Sequence, residues 1–384
     1  MACNSTKRLK DDELLLVKNI IDTGIDTISS RKLSPFLDLK PNSKFLFGLP
    51  LKLHIYNSGK PNPDSTFINW LTKKPKREKR LTSFLSERQL KNIGAFYVNM
   101  HEGRKRNGEP PSIITNTKIE NSKAKLKSWY WNRGWFNAKV NHDIKKDSSS
   151  QKATIHYKIK PNSPYLIDTL NYNIASKAAD SLFDKIKDES LLVEGQQFNA
   201  KNFENERLRI EKYFRNHGLY DFDREYISFV VDSLNENPRF LDVEMNIKKR
   251  QTKNQDSIFT KPFKIQKISQ VNVFTDYENN DTSYLAQDSI HYKQKVFFAK
   301  DKIKVNPKIL SDAVFIEKGH FFSDEERINT YNRFSNIRVF EYPNIQYQKD
   351  PRTPLEDNLI ANVFLTPKER FGFTSNFEVS QSNI

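Results

Sequence analysis

The chain has 384 residues, with 63 Lys and Arg against 47 Asp and Glu, a net charge of +16. Its 28 Phe and 15 Tyr exclude a wholly disordered basic protein, which would be poor in aromatics. No apolar run approaches the ~18–20 residues of a membrane-spanning helix; the densest, residues 14–17 and 45–53, are far shorter. The single cysteine, Cys3, excludes an internal disulfide and a cysteine zinc site. The seven histidines are scattered, with no HxxxH or HxH pair, and no nucleotide-binding, hydrolase or metalloprotease motif is present. No enzyme activity, cofactor or metal is expected.

The amino terminus reads Met1-Ala2-Cys3-Asn4-Ser5-Thr6-Lys7. A small residue before a lone cysteine, with polar residues after it, resembles the cleavage point of a bacterial lipoprotein signal. An acylated Cys3 would then anchor a soluble body. Residues 1–10 read as this tether and show no core pattern. A strand follows at about 14–21 and a short helix at about 29–39. Residues 40–112 read as a large insert whose basic runs, 73–80 and 104–106, adjoin Pro75 and Gly103 and are expected in loops.

Next comes an internal repeat. Ile119, Leu126, Trp129 and Tyr130 recur 84 residues on as Phe203, Ile210, Tyr213 and Phe214. The spacing i, i+7, i+10, i+11 marks one buried helix face. Asn132-x-Gly134 and Asn216-x-Gly218 follow, the glycines as helix stops. Thr115 and Asn199 precede the two helices as candidate caps. Phe334, Asn336, Val339 and Phe340 continue the pattern at an offset of 120 from Phe214, with Ser323 as the cap. Gly195-x-x-Phe198 and Gly319-x-x-Phe322 precede the second and third helices alike. Two extended segments trail each helix: 136–145 and 153–160, 222–234 and 240–249, 339–348 and 359–365. A strand and a shorter helix precede the later two, at 165–174 and 176–186, then 263–274 and 307–314. The unit is β-α-α-β-β, an α+β fold.

That order, with an aromatic-rich second helix ending in Gly-aromatic, resembles the POTRA domains of the BamA and TamA superfamily, most closely its lipoprotein member TamL. The resemblance implies a tandem array of three-stranded mixed sheets, each with two helices on one face. It implies domains at 11–162, 163–252 and 262–370. Residues 371–384, alternating Phe371, Phe373, Phe377 and Val379 with polar residues, read as the first strand of an outer-membrane barrel. Tyr130, Gly134, Phe214, Gly218 and Phe334 form the repeated structural core.

The resemblance further implies a periplasmic scaffold that binds unfolded outer-membrane or secreted client proteins by strand addition, beside other assembly-complex subunits. It would meet outer-membrane lipid through Cys3 and a C-terminal barrel. The candidate edges run through Phe222, Arg224, Tyr226 and Ser228, and through Val339, Glu341, Pro343 and Ile345. Pro343 suits an edge, although Pro and charge equally protect an edge from aggregation. A role in lipid traffic is the alternative. A basic nucleic-acid-binding protein is the other alternative, but the aromatics mostly fall on the buried helix stripe, so no nucleic acid is expected.

Overall fold

The computed structural model describes residues 5–368 except 46–47, 148, 234–237, 255–256, 279–284, 338 and 342. Cys3 and the barrel-like segment 371–384 lie outside the described residues. The chain divides into two compact units, Met1–Tyr165 with Gln197–Asn199, and Leu166–Gln196 with Ala200–Ile384.

The first unit runs β1 (Leu15–Asp22), α1 (Ser30–Leu33), α2 (Leu51–Ser58), α3 (Pro63–Thr72), α4 (Pro75–Phe84), α5 (Glu87–Asn107), α6 (Asn116–Trp131), β2 (Lys139–Lys146) and β3 (Lys152–Lys160). Its sheet has the order β1-β3-β2, with β1 parallel and β2 antiparallel to β3. On β3 Ala153, Ile155, Tyr157 and Ile159 are buried, with more exposed residues between them, as period-2 alternation requires. The α6 stripe closes over them: Ile119, Leu126 and Tyr130 are fully buried. Tyr130 Oη donates to the Thr23 carbonyl at 2.7 Å, and burial pushes its phenol up to about 12. Trp131 lies off the stripe and is exposed. Thr115 stands at the N-cap of α6 but makes no side-chain cap bond, contrary to expectation. Ser5 is buried and its carbonyl accepts from Asn57 Nδ2, so this residue of the segment expected as a bare tether lies against α2.

Apart from Lys73 and Lys74, which lie in the turn between α3 and α4, the basic runs are helical, not loops. Pro75 opens α4 at its first position, where its missing N–H costs nothing, and the cations follow within the helix. Arg104, Lys105 and Arg106 form the last turn of α5, where positive charge complements the helix dipole. Ser86 and Gln89 complete a capping box at its start.

The second unit runs β4 (Leu166–Ile174), α7 (Lys177–Phe183), α8 (Ala200–Asn216), β5 (Ile227–Asp232), β6 (Phe240–Ile247), β7 (Arg250–Asn254) and β8 (Ser257–Lys261). It continues with β9 (Ile268–Phe274), β10 (Asp288–Tyr292), β11 (Lys295–Ala299), α9 (Pro307–Ala313), α10 (Asp324–Ile337), β12 (Asn344–Lys349) and β13 (Leu359–Phe364). The sheet β4-β6-β5 repeats the order of the first unit, and Ile210, Phe214, Phe222 and Met245 fill the core beneath it. A hairpin, β7–β8, occupies the expected linker.

The last sheet has five strands, not three, in the order β10-β11-β9-β13-β12. The hairpin β10–β11 adds to β9, turning at Lys293 and Gln294, both at positive φ (46° and 60°). A two-residue turn of this kind normally announces itself by Asn-Gly, which is absent here. Central β13 is buried along Leu359–Val363, and its Asn362 pairs with Asn272 of β9 at 2.9 Å. Phe334 and Phe340 are buried together in this core.

Candidate functional site

In the first two sheets one side is closed by the loop that leads into the main helix; in the third the same loop bonds only the start of β9, beyond which β11 and β10 continue the sheet. In the first unit Leu16 N donates to Ser112 O (2.8 Å) and Ile114 N to Leu14 O (2.9 Å). At β4, Ile167 N donates to Gln196 O (2.9 Å) and receives Gly195 N at its carbonyl (2.8 Å). At β9, Ile268 N donates to His320 O (2.9 Å) and receives Gly319 N (2.7 Å). Gly195 and Gly319 stand at φ +80° and +87°, the left-handed turn that brings each loop back onto its strand. These sealing contacts span one or two residues and leave no side-chain period, so the sequence did not disclose them.

The opposite sides end in β2, β5 and β12, with no strand or bridge paired outside them among the described residues. A terminal strand presents one row of backbone donors and acceptors outward. The three differ in what guards that row. β2 carries Lys139, Lys145 and Lys146. β12 ends at Lys349, whose Nζ lies 3.6 Å from Asp221 and 3.5 Å from Asp357, and its Tyr347 packs against Phe322 and Tyr220. β5, Ile-Ser-Phe-Val-Val-Asp, has neither lysine nor proline, and Val230 and Val231, on opposite faces, are 56% and 39% exposed. Phe229 anchors the strand to α8 through Phe203, at 5.0 Å between ring centroids.

The candidate residues are only partly on these edges. Ser228 lies on β5, but Arg224 and Tyr226 form a 3₁₀ turn ahead of it and Phe222 is a fully buried core ring. Phe222 follows the helix-ending turn so closely that it packs on Phe214, at 4.8 Å, instead of extending. Ile345 lies on β12, whereas Val339, Glu341 and Pro343 precede it. Glu341 N donates to Thr366 O and Lys368 N to Val339 O, so this stretch is already paired, and Pro343 is buried.

The repeated glycines sit at a second recurring construction. Trp135 N donates to Tyr130 O and Leu219 N to Phe214 O, the long closing bond of a Schellman turn, with Gly134 at φ +85° and Gly218 at +100°. Within the second unit Gly218 also meets the start of the third module. Its N–H donates to Phe322 O (3.0 Å) and its carbonyl accepts from Gln266 N (2.9 Å). Asn216 Oδ1 accepts from Glu325 N (2.9 Å), in the first turn of α10, and Arg215 pairs with Asp324 at 3.3 Å. Asn216, read as a repeat marker, and Arg215 beside it therefore tie one module to the next. Ser323 caps α10 as expected, accepting from Glu326 N at 3.3 Å.

Among the described residues no group of three or more His, Cys, Asp or Glu could hold a metal, and no helix is long and apolar enough to cross a membrane. The perturbed acids are structural. Arg352 holds the Asp350 carboxyl far below the usual carboxylate range, and burial pushes the Tyr347 phenol well above its ordinary value.

Residues 80–162 match the POTRA family model, described as surface antigen variable number repeat. The match runs from α4 through α6, β2 and β3. Among solved structures, the chain is similar to BamA POTRA3-5 of Haemophilus influenzae, at 9% identity, covering 92% of this chain and 96% of that one with a TM-score of 0.37. It is similar to POTRA1-3 of the periplasmic domain of Omp85 from Anabaena, at 11% identity, 68% and 86% coverage and a TM-score of 0.23. It also aligns with CdiB from Escherichia coli, at 10% identity, 62% and 28% coverage and a TM-score of 0.22. No curated protein matches the chain in sequence.

Proposed function

We propose that this chain is the periplasmic POTRA array of an outer-membrane assembly or translocation factor, built from β-α-α-β-β modules and most like TamL. The POTRA match at 80–162, the repeated helix-and-glycine construction and the recurring sealed edge support this reading. The protein works by recognition, without catalysis. Cys3 is the lipid attachment site, on the motif around it, and the alternation from Phe371 to Val379 is the first barrel strand. Partner subunits of the assembly complex share the array with clients.

One observation carries the client site: the sheet β4-β6-β5 is sealed at β4 and open at β5, where Val230 and Val231 are exposed and no lysine intervenes. An extended segment of an unfolded barrel precursor pairs with β5 through its main chain, so affinity depends little on client sequence. The exposed valines favour the apolar face of a barrel-forming strand. A photo-crosslinking side chain at Val230 should capture an unfolded outer-membrane protein. The Lys248 N to Tyr226 O bond sets the ladder so that the Val231 amide points outward, and Val231→Pro should abolish capture from that site by removing this donor. Equal capture from exposed Asn141 of the β2 edge would remove β5 as the client site.

A further inference from the structure

Half of the net charge sits in one short stretch. Between Lys73 and Asn107 stand eleven Lys and Arg against three Glu, a net +8 of the total +16. The same helices expose large apolar side chains: Phe84 is 88% exposed, Phe96 72% and Trp70 49%. Ile93, Phe96 and Met100, at i, i+3 and i+7, share one face of α5 and are all exposed. They cannot simply turn inward. The inner face of α5 is already used by Tyr97, which packs on Phe67 and on buried His101, and a Cβ at Gly94 would lie 2.9 Å from the Phe67 ring.

Cations attend the exposed groups. The Arg77 guanidinium lies over the Trp70 ring at 4.5 Å, and Arg104 Nη2 lies 3.8 Å from Met100 Sδ. The Arg77 guanidinium also donates to the Trp70 carbonyl, so cations and exposed apolar groups share one surface. Dense positive charge alone suits any polyanion. Exposed Phe, Trp, Ile and Met among the cations suit one that also offers hydrocarbon, which is a phospholipid surface and not a nucleic acid.

We infer that α3, α4 and α5 form a binding surface for an anionic phospholipid bilayer, with Trp70, Phe84 and Phe96 entering the interface and the surrounding Lys and Arg on the headgroup phosphates. The site is separate from strand addition at β5, and its test does not depend on that reading. The full chain is floated with phosphatidylcholine vesicles, with and without phosphatidylglycerol. Two variants are compared, Phe84→Ser with Phe96→Ser, and Lys76→Glu with Lys79→Glu and Arg80→Glu. All five side chains are exposed, so both variants should keep the parent's circular dichroism; single Phe84→Ser serves if the pair does not. The parent should float with phosphatidylglycerol vesicles and not with phosphatidylcholine alone, and each variant should weaken binding by roughly tenfold or more. Duplex DNA and poly-glutamate should not displace it. No flotation, or flotation unchanged by the Phe substitutions, would overturn the inference. Displacement by DNA would assign the surface to nucleic acid, and displacement by poly-glutamate to an acidic protein.

Discussion

β2 and β5 are the outer strands of two sheets with the same order, and each follows a main helix that ends in a Schellman glycine. β2 sets Lys139, Lys145 and Lys146 along its edge, and Lys158 on the neighbouring β3 pairs with its Asp143 at 2.7 Å. β5 sets none and leaves Val230 and Val231 in solvent. The topology makes an edge in both places; the side chains decide which edge is available. A lysine beside an unpaired backbone row must lose hydration before another strand can approach, whereas a valine gains from being covered.

The comparison assumes that both edges rest on equally firm cores. Tyr130→Ala beneath β2 and Phe214→Ala beneath β5 should each cost about 3–5 kcal/mol, since both rings are fully buried. Urea denaturation measures this, and a large inequality would mean that firmness, not guarding, separates the edges. Gly218→Val should cost roughly 1–3 kcal/mol. The residue is at φ +100°, and an added Cβ would lie 2.6 Å from Ile265 Cγ2. Thermal unfolding of the full chain reads that loss.

Moving the guard between edges sharpens the comparison. Val230→Lys should leave stability within about 0.5 kcal/mol, because the site is exposed. It should weaken binding of an unfolded client strand by roughly tenfold, about 1.4 kcal/mol, in a fluorescence titration. The smallest effect is a pH dependence beneath β2. Tyr130 ionises near 10 when unfolded but near 12 when folded. The unfolded chain therefore holds fewer protons between those values, and stability falls as pH rises through that window. Tyr130→Phe should flatten that part of the curve, as followed by melting temperature against pH.

What was legible in the sequence was the part with a side-chain period. The rings at 119, 126 and 130 and at 203, 210 and 214 mark helices that bury them, and the alternation on β3 and β6 marks half-buried strands. Segments governed by backbone geometry were not legible. The turn at Lys293 and Gln294 lacks glycine, so the hairpin that widens the third sheet went unannounced. Pro75 could equally interrupt a helix or begin one, and it begins α4. Phe222 has a strand-forming side chain, but the turn after Gly218 places it in the core. The edge itself was half legible: Ser228 and Ile345 fall on terminal strands, while the contrast between guarded β2 and unguarded β5 needed the sheet order.

The central claim is that β5 is the edge that receives an extended client. Amide hydrogen exchange along Ile227–Asp232 and along Lys139–Lys146, with and without a peptide copying one strand of an outer-membrane barrel, tests it most directly. A strand added to an edge hydrogen-bonds the outward amides and slows their exchange. The account predicts new protection on β5 that Val230→Lys removes, with β2 unchanged. Protection on β2, or bound peptide with no protection on β5, would contradict it.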